Sequence, residues 1–592
     1  MAPSGEPRWW QRRHLERLGL LSLALLFGYV AFYPQSLVRY PPVTDMPFHA
    51  ANTSILRHYF DDAFGFREQF QIDPLRAPYM THYLLGAALS LVLPIHVAVK
   101  LASVLMLCLL PAGLALLLRG LGKRRVGALL ALGLFYSTLT HWGFISHVAA
   151  LGCFLGSLGA TLLTLQASEP KAIRRRAVLL AVLLTFTLLT HVYRYPFAAG
   201  GALLLLVFSW KSSATRRAQL ATALALLPSA VLFLGFWFTR DHGLGDDLTL
   251  TFEPSRLQEV PLHLFGGFKG TAGAHEQQLG LTFTLLALGL GVGSAFIRHA
   301  RRSRSEPATR STGTTRHEHP AETERDCDSP LPSKAVPSNP PLVHPPETEG
   351  QRDVGAPQPP NTSTTLTHPE RPDALKRRAH YALALMCGVI GLLYVCLPLT
   401  WGSWFFVYPR EALTLAALGL ALLPGLPRLP LVPLVLALCL SLSAGRQAYQ
   451  VAVEWRRFEA LNQDFYAMQQ HLPPQPKLLY LIYDHTGTQR STTPFIHLPA
   501  WVQAERGGAL YFHFVRWGLY PIRYREGSPH DPPRLPYFLE WRPDRFQVLE
   551  HGAWFDTFLV RHTIDPSVVF AADPSIRLVA REGTWWLFRR EP

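Results

Sequence analysis

Long apolar runs constrain this 592-residue chain more than any other feature. They alternate with short basic clusters up to residue 298 and resume from 380 to 444. Runs such as LGLLSLALLFGYVAFY and LVPLVLALCLSLS carry almost no polar face, unlike helices at the surface of a soluble protein. A helix needs roughly 20 residues to cross a hydrocarbon core, and the longer apolar runs that contain these segments approach that length. The sequence therefore predicts a polytopic membrane protein.

The net charge of +15 does not indicate a nucleic-acid partner. Lysine and arginine lie in short loops between the apolar runs, as expected for cytoplasmic loops. A nucleic-acid-binding protein would instead carry a basic stripe with exposed aromatic side chains on a soluble domain. We therefore expect no nucleic acid among the partners.

The basic loops also predict the topology. If the arginines before the first run are cytoplasmic, eleven spans bring every later basic loop to the cytoplasmic side. The run 81–94 is too short to count and is expected to be re-entrant or interfacial. The predicted spans lie at about 18–35, 95–119, 126–145, 147–167, 177–193, 196–210, 218–239, 279–298, 380–399, 405–423 and 428–445.

This topology divides a mainly α-helical protein into four parts. The parts are an N-terminal membrane domain (1–298) with a first outer loop (36–94), a loop at 299–378, membrane helices at 379–445 and a domain at 446–592. The loop is rich in Pro, Ser, Thr and charge, so it is expected to be cytoplasmic and disordered. An odd number of spans places the last domain on the outer face, so it is expected to be extracytoplasmic. It is expected to be α/β, because an amphipathic helix precedes strand-like segments such as KLLYLIYD and TWWLFRR.

The segment PPVTDMPFHAANTSILRHY (41–59) follows the first span directly. Asp45 would suit an N-cap, with Pro47 in the first turn of the helix that follows. The helix would then lie along the membrane surface with His49 facing water. The alternative is that Asp45 is the chemical centre of a membrane enzyme.

Two stretches favour the enzyme. TDMPFH resembles the "D-[DE]-x-x-[FYH]-H" start of the first outer loop in the GT-C superfamily of membrane glycosyltransferases, with Met46 in place of the second acid. YMTHYLLGAALSLVLP and the apolar run after it resemble that superfamily's next segment. The resemblance covers about residues 18–240, with a weaker match at 400–423. The superfamily includes protein O-mannosyltransferases, aminoarabinose transferases and oligosaccharyltransferases.

The resemblance implies an inverting transfer from a sugar on a polyprenyl phosphate, with Asp45 and His49 as the candidate catalytic residues. Asp45 would deprotonate or orient the acceptor hydroxyl. The leaving group is an anion, so cations are expected near the outer surface. The candidate donor-phosphate ligands are Tyr193, Arg194, Arg240, Lys269 and Arg410.

For Arg410 the sequence leaves two alternatives open. It would either bind the donor phosphate or have a structural role, by pairing locally with Glu411 or by extending toward the membrane surface. For Arg240 and Lys269 the alternative is a solvated charge in the loop 240–278.

No cofactor is expected. Asp61, Asp62 and Asp73 could hold a divalent ion together with Asp45 and His49, or form a solvated acidic patch. Their spacing matches no fixed metal-binding motif, so the sequence leaves a metal ion open.

The sequence therefore predicts an inner-membrane glycosyltransferase that moves a sugar from a polyprenyl-linked donor to a lipid, glycan or protein acceptor of the cell envelope. One rival is a flippase or exporter of a lipid-linked saccharide, which should show repeated halves and polar residues spaced through the midplane. Another is a non-catalytic envelope assembly protein, for which changing Asp45 to Asn would have no effect.

Overall fold

A computed structural model describes residues 9–74, 78–210, 214–239, 248–305, 371–402, 404–485, 487–489, 492–517 and 520–591. Residues 1–299 and 370–592 form one compact unit. Most of the predicted disordered loop lies outside the described residues. Its two ends, 299–305 and 371–378, are helical and extend the neighbouring membrane helices.

Helices dominate the described chain. They are α1 (Trp9–Ser36), α2 (Met46–Arg57), α3 (Phe66–Gln69), α4 (Thr81–Leu89), α5 (Ile95–Leu107), α6 (Leu109–Gly120), α7 (Thr138–Trp142), α8 (Ile145–Leu165), α9 (Pro170–Thr190), α10 (Tyr195–Ser209), α11 (Arg216–Thr239), α12 (Val260–Phe265), α13 (Gly270–Ser305), α14 (Arg371–Cys396), α15 (Pro409–Leu422), α16 (Val432–Leu440), α17 (Arg446–Leu461), α18 (Gln463–Gln469), α19 (Ala500–Arg506) and α20 (Val548–His551).

Eight helical stretches in the described residues are long and apolar enough to cross a membrane. They coincide with eight of the eleven predicted spans, and the protein is a multi-pass membrane protein. Helices α9 and α15 occupy two further predicted spans, but α9 begins with a cluster of arginines and α15 has only 14 residues. The predicted count of eleven is therefore not confirmed.

The predicted span at 126–145 is replaced by other structure. Residues Arg125–Leu134 form a 3₁₀ helix, and α7 follows as a single short turn that ends at Gly143. The segment is buried, so its apolar character serves the protein core rather than the lipid. Helix α4 is too short to span, in agreement with the interfacial or re-entrant expectation.

Close approach between α6 and α8 organises the centre of the membrane domain. A side chain at Gly113 or Gly152 would overlap the backbone of the other helix, so glycine is required at both positions. This contact leaves α8 buried along its whole length.

Helix α2 begins where the sequence predicted, but its environment is different. Met46–Ile55 are all buried, because α2 packs against α4, α5 and α19. The expectation of an interfacial helix with His49 facing water is therefore wrong. Polar residues on one face of α2 contact protein instead of solvent.

The C-terminal domain is α/β, as predicted. The strands are β1 (Phe70–Ile72), β2 (Thr400–Trp401), β3 (Trp404–Phe405), β4 (Lys477–Ile482), β5 (Ala509–Leu510), β6 (Ile522–Tyr524), β7 (Thr557–Arg561), β8 (Ile576–Glu582) and β9 (Trp585–Arg590). Five of them form a mixed sheet in the order β5-β4-β7-β9-β8. Strand β1 of the first loop pairs antiparallel with β6, which fastens that loop to the domain.

Candidate active site

A cavity of about 730 Å³ lies where the first loop, the start of α8, the β2–β3 hairpin and the C-terminal domain meet. Its wall is rich in aromatic rings and also carries two carboxyl groups and three guanidinium groups. The charged lining residues are Asp45, Glu540, Arg410, Arg542 and Arg545.

The backbone of Asp45 is held by the end of α7. The Thr44 N–H donates to the His141 carbonyl at 3.1 Å, and the Asp45 N–H donates to the Trp142 carbonyl at 3.0 Å. The last carbonyls of a helix have no partner within it, so these bonds satisfy groups that would otherwise be orphaned. Asp45 precedes α2, but its side chain makes no capping hydrogen bond. The N-cap interpretation is therefore wrong for the carboxyl group, which lines the cavity instead.

Gly143 allows this close approach. Its φ of +99° is left-handed, as is common at the end of a helix. A β-carbon at this position would lie 2.8 Å from Asp45 Cβ and 3.0 Å from its backbone nitrogen. Glycine thus serves both the turn and the packing against Asp45.

We expect Gly143→Ala to move the Asp45 carboxyl and to lower the sugar transfer that the sequence predicts by about 100-fold or more, the usual cost of a misplacement of about 1 Å. Gly527→Ala is the matched control, since Gly527 has a similar φ of +74° and open space around it. Transfer rates at equal protein abundance check the prediction. Equal losses in both variants would contradict it.

His49 is fixed through both ring nitrogens. Nε2 lies 2.9 Å from the Gly143 carbonyl oxygen, and Nδ1 lies 3.1 Å from the Tyr83 hydroxyl. A carbonyl only accepts, so Nε2 carries the proton and Nδ1 accepts from Tyr83. Burial lowers the pKa of His49 to about 4, which keeps the ring neutral. His49 lines the cavity, but this geometry suits it to hold the loop around Asp45.

The Asp45 side chain is 14% exposed, and its Oδ1 lies 3.8 Å from Nε2 of His497. That distance is too long for a hydrogen bond. Burial lowers the pKa of His497 to about 3, so the imidazole is neutral and does not pair with the acid. Burial raises the pKa of Asp45 to about 8, although the Arg410 guanidinium opposes the shift. A carboxyl group with this pKa is mostly protonated at pH 7 and becomes a proton acceptor as the pH rises toward 8 and above.

Arg410 presents its guanidinium on the cavity wall. It donates to the carbonyls of Phe405 and Phe406 at 2.9 and 3.1 Å, and it lies 4.3 Å above the ring of Phe144. Within the described chain it forms no ion pair with a carboxylate. The local pair with Glu411, one of the alternatives that the sequence left open, is absent, so the charge of Arg410 remains available to an anion in the cavity.

Arg194 has a different environment. Its guanidinium forms a two-pronged pair with Glu411, at 3.0 and 2.8 Å, and also contacts His147. Arg194 and Glu411 are buried, and neither lines the cavity. Tyr193 packs against Trp404 of the wall. Donor-phosphate binding by Tyr193 and Arg194 stays a prediction, and this geometry favours a structural role for Arg194.

Two further ligands were predicted, Lys269 and Arg240. Lys269 is exposed and does not line the cavity, and Arg240 lies outside the described residues. Among the residues that the structure describes, no three His, Cys, Asp or Glu side chains are grouped to hold a metal ion.

Several cavity residues were not recognised in the sequence. Gly143, His497 and Glu540 come from segments distant from Asp45, and none belongs to a recurring motif. Gly143 had a local signal in the sequence, because glycine commonly ends a helix and here follows the short helix α7. His497 and Glu540 had none, since only the folded C-terminal domain brings them to the cavity.

No protein-family model and no curated protein matches this chain. Solved structures do. ArnT from Cupriavidus metallidurans in the apo state gives a TM-score of 0.51 at 11% identity, over 96% of this chain and 97% of ArnT. The same protein bound to undecaprenyl phosphate gives 0.48 at 12% identity, over 96% and 97% of the two chains. The Archaeoglobus fulgidus oligosaccharyltransferase in the apo form gives 0.41 at 13% identity, over 93% of this chain and 70% of that one. The chain therefore shares the fold of ArnT, which agrees with the fold that the resemblance to the GT-C superfamily predicted.

Proposed function

We propose that this protein transfers a sugar from a polyprenyl-phosphate-linked donor to an acceptor of the cell envelope. One observation carries the proposal: Asp45, an acid with a raised pKa, and Arg410, a cation without a carboxylate partner among the described residues, line the same cavity. A glycosyl transfer of this kind needs a base for the acceptor and a positive charge for the leaving phosphate. The shared fold with ArnT supports the same reaction class.

In the proposed reaction the Asp45 carboxylate takes the proton of the acceptor hydroxyl. The acceptor oxygen forms a bond to the anomeric carbon while the bond from that carbon to the phosphate oxygen breaks. The bonding electrons leave with the polyprenyl phosphate, and Arg410 stabilises the added negative charge. Attack on the face opposite the leaving group makes the transfer inverting.

The proposed location is the inner membrane, with the cavity and the C-terminal domain on the outer side. The basic loops support this orientation, because they then face the cytoplasm. A flippase or exporter is less well supported, since a base beside a cavity cation is chemistry that transport alone does not require.

Binding of the carrier lipid, whose phosphate is the leaving group of the proposed reaction, tests the proposal. We expect Arg410→Gln to weaken binding of undecaprenyl phosphate by about 10- to 100-fold, the range for one charge-assisted interaction. Titration of the purified full chain in nanodiscs, followed by native mass spectrometry, measures the affinity. Arg577→Gln is the control, because Arg577 is exposed on β8 and does not line the cavity. Equal affinity of wild type and Arg410→Gln would contradict the role of Arg410.

The raised pKa of Asp45 gives a pH prediction. A base acts when it is deprotonated, so kcat/KM should rise about tenfold per pH unit below pH 8 and level off above it. Arg410→Gln should move this midpoint upward, because the guanidinium lowers the pKa of Asp45. Glu540→Gln should leave the midpoint unchanged, which separates Asp45 from the second carboxyl of the cavity. A rate that is flat from pH 6 to 9 would contradict the assignment.

A further inference from the structure

A short segment of the C-terminal domain, residues 537–545, exposes large aromatic side chains into the cavity. Tyr537 is 66%, Phe538 49% and Trp541 36% exposed, although all three are large rings. All three line the same cavity as Asp45. Exposed aromatic clusters of this kind commonly mark binding sites.

The segment is held in one conformation. Leu539 is buried, and the N–H groups of Trp541 and Arg542 both donate to the Phe538 carbonyl, at 3.0 and 2.9 Å. Phe538 has a φ of +63°, a left-handed conformation that a bulky side chain rarely adopts. Such backbone strain is typical of ligand-binding positions. The rings are therefore presented by a fixed turn.

Charged groups flank the rings. Glu540 places a carboxyl group on the cavity wall, where burial raises its pKa to about 7. Arg542 forms a two-pronged pair with Asp544 at 2.9 and 2.8 Å, and Arg545 lies near the same carboxylate. Because Arg542 is paired with Asp544, Arg545 is the guanidinium at this edge of the cavity that forms no salt bridge among the described residues.

We propose that residues 537–545 form the acceptor site and bind a saccharide that carries an anionic group. The sugar ring stacks on Trp541, Glu540 accepts a hydrogen bond from a sugar hydroxyl, and Arg545 binds the anionic group. This assignment rests on the proposed function, because the base Asp45 needs an acceptor hydroxyl within the same cavity.

Aromatic rings also collect at membrane surfaces, which is the main alternative for this segment. Two features favour a saccharide. The rings line a cavity rather than a flat outer face, and the carboxyl of Glu540 lies among them. A membrane-contacting patch would gain nothing from that acid.

The test measures binding directly and does not depend on transfer. Saturation-transfer NMR on the purified full chain uses glucose 6-phosphate as the probe and glucose as its uncharged counterpart. We expect the phosphorylated sugar to give at least a fivefold stronger signal than glucose. Trp541→Ala should abolish the signal, Trp541→Phe should retain it, and Arg545→Gln should make the two sugars equal. Leu549→Ala is the control, because Leu549 is exposed in the same domain and does not line the cavity.

The affinity for undecaprenyl phosphate, measured on the same variants, distinguishes a failure of the acceptor-site proposal from a failure of the proposed function. Affinity within twofold of wild type in Trp541→Ala, with loss of the sugar signal, supports the acceptor site. Loss of donor affinity in Trp541→Ala with an unchanged sugar signal would overturn it in favour of a lipid contact. An unchanged sugar signal and donor affinity would also overturn it. Failure of Arg410→Gln to affect donor binding would instead count against the proposed function alone.

Discussion

Asp45→Asn is expected to lower sugar transfer by about 100- to 10,000-fold, the range for loss of a general base. Asparagine keeps the size of the side chain and cannot accept the hydroxyl proton. The Thr44 and Asp45 backbone bonds to α7 do not depend on the carboxyl group, so protein abundance should be unchanged. The measurement is the rate at which membrane vesicles with matched protein levels transfer an isotope-labelled sugar.

Asp62→Asn is the control for this change, because Asp62 lies in the same loop but is exposed and away from the cavity. It should transfer at the wild-type rate. Wild-type transfer by Asp45→Asn would leave the carboxyl without a chemical role and would favour a non-catalytic assembly protein.

The second large effect concerns stability. Arg194→Gln removes one partner of the buried pair with Glu411 and leaves an uncompensated carboxylate. Breaking a buried pair in this way costs about 3–5 kcal/mol. We therefore expect a clear fall in the thermal-unfolding midpoint and in abundance, measured on the purified protein in nanodiscs.

The double variant Arg194→Met/Glu411→Leu separates structure from binding. Replacing both charges with apolar groups of similar size is often close to neutral, so it should recover most of the lost stability. It should also bind undecaprenyl phosphate with wild-type affinity. A stable double variant that no longer binds this lipid would show that Arg194 contacts the donor, as the sequence predicted.

Spans and strands were predictable where the residue composition of a segment alone determines its secondary structure. The apolar run of α8 and the β-branched, aromatic run of β7 have few alternatives once burial is required. The segment 126–145 was not predictable in this way. Hydropathy records that it is apolar, but not that a 3₁₀ helix and a short turn ending at Gly143 pack it inside the protein.

In the site too, the features determined by local sequence were predictable and those determined by tertiary contacts were not. Asp45 was recognisable for two reasons. It lies directly after the first span, where a carboxylate is either a helix cap or a catalytic group, and TDMPFH resembles the start of the first outer loop in the GT-C superfamily. Its surroundings were not recognisable, because they depend on contacts between distant segments. The pair of Arg194 with Glu411 spans 217 positions. In the sequence, the adjacent Arg410 was the partner considered for Glu411.

The most direct test of the central claim compares polyprenyl-linked sugars and envelope glycans, by mass spectrometry, in cells that carry wild-type protein or Asp45→Asn at equal abundance. We predict that one sugar decoration disappears and that its polyprenyl-linked donor accumulates, which would also identify the sugar. Identical profiles in the two strains would contradict the assignment of this cavity as the active site of a glycosyltransferase.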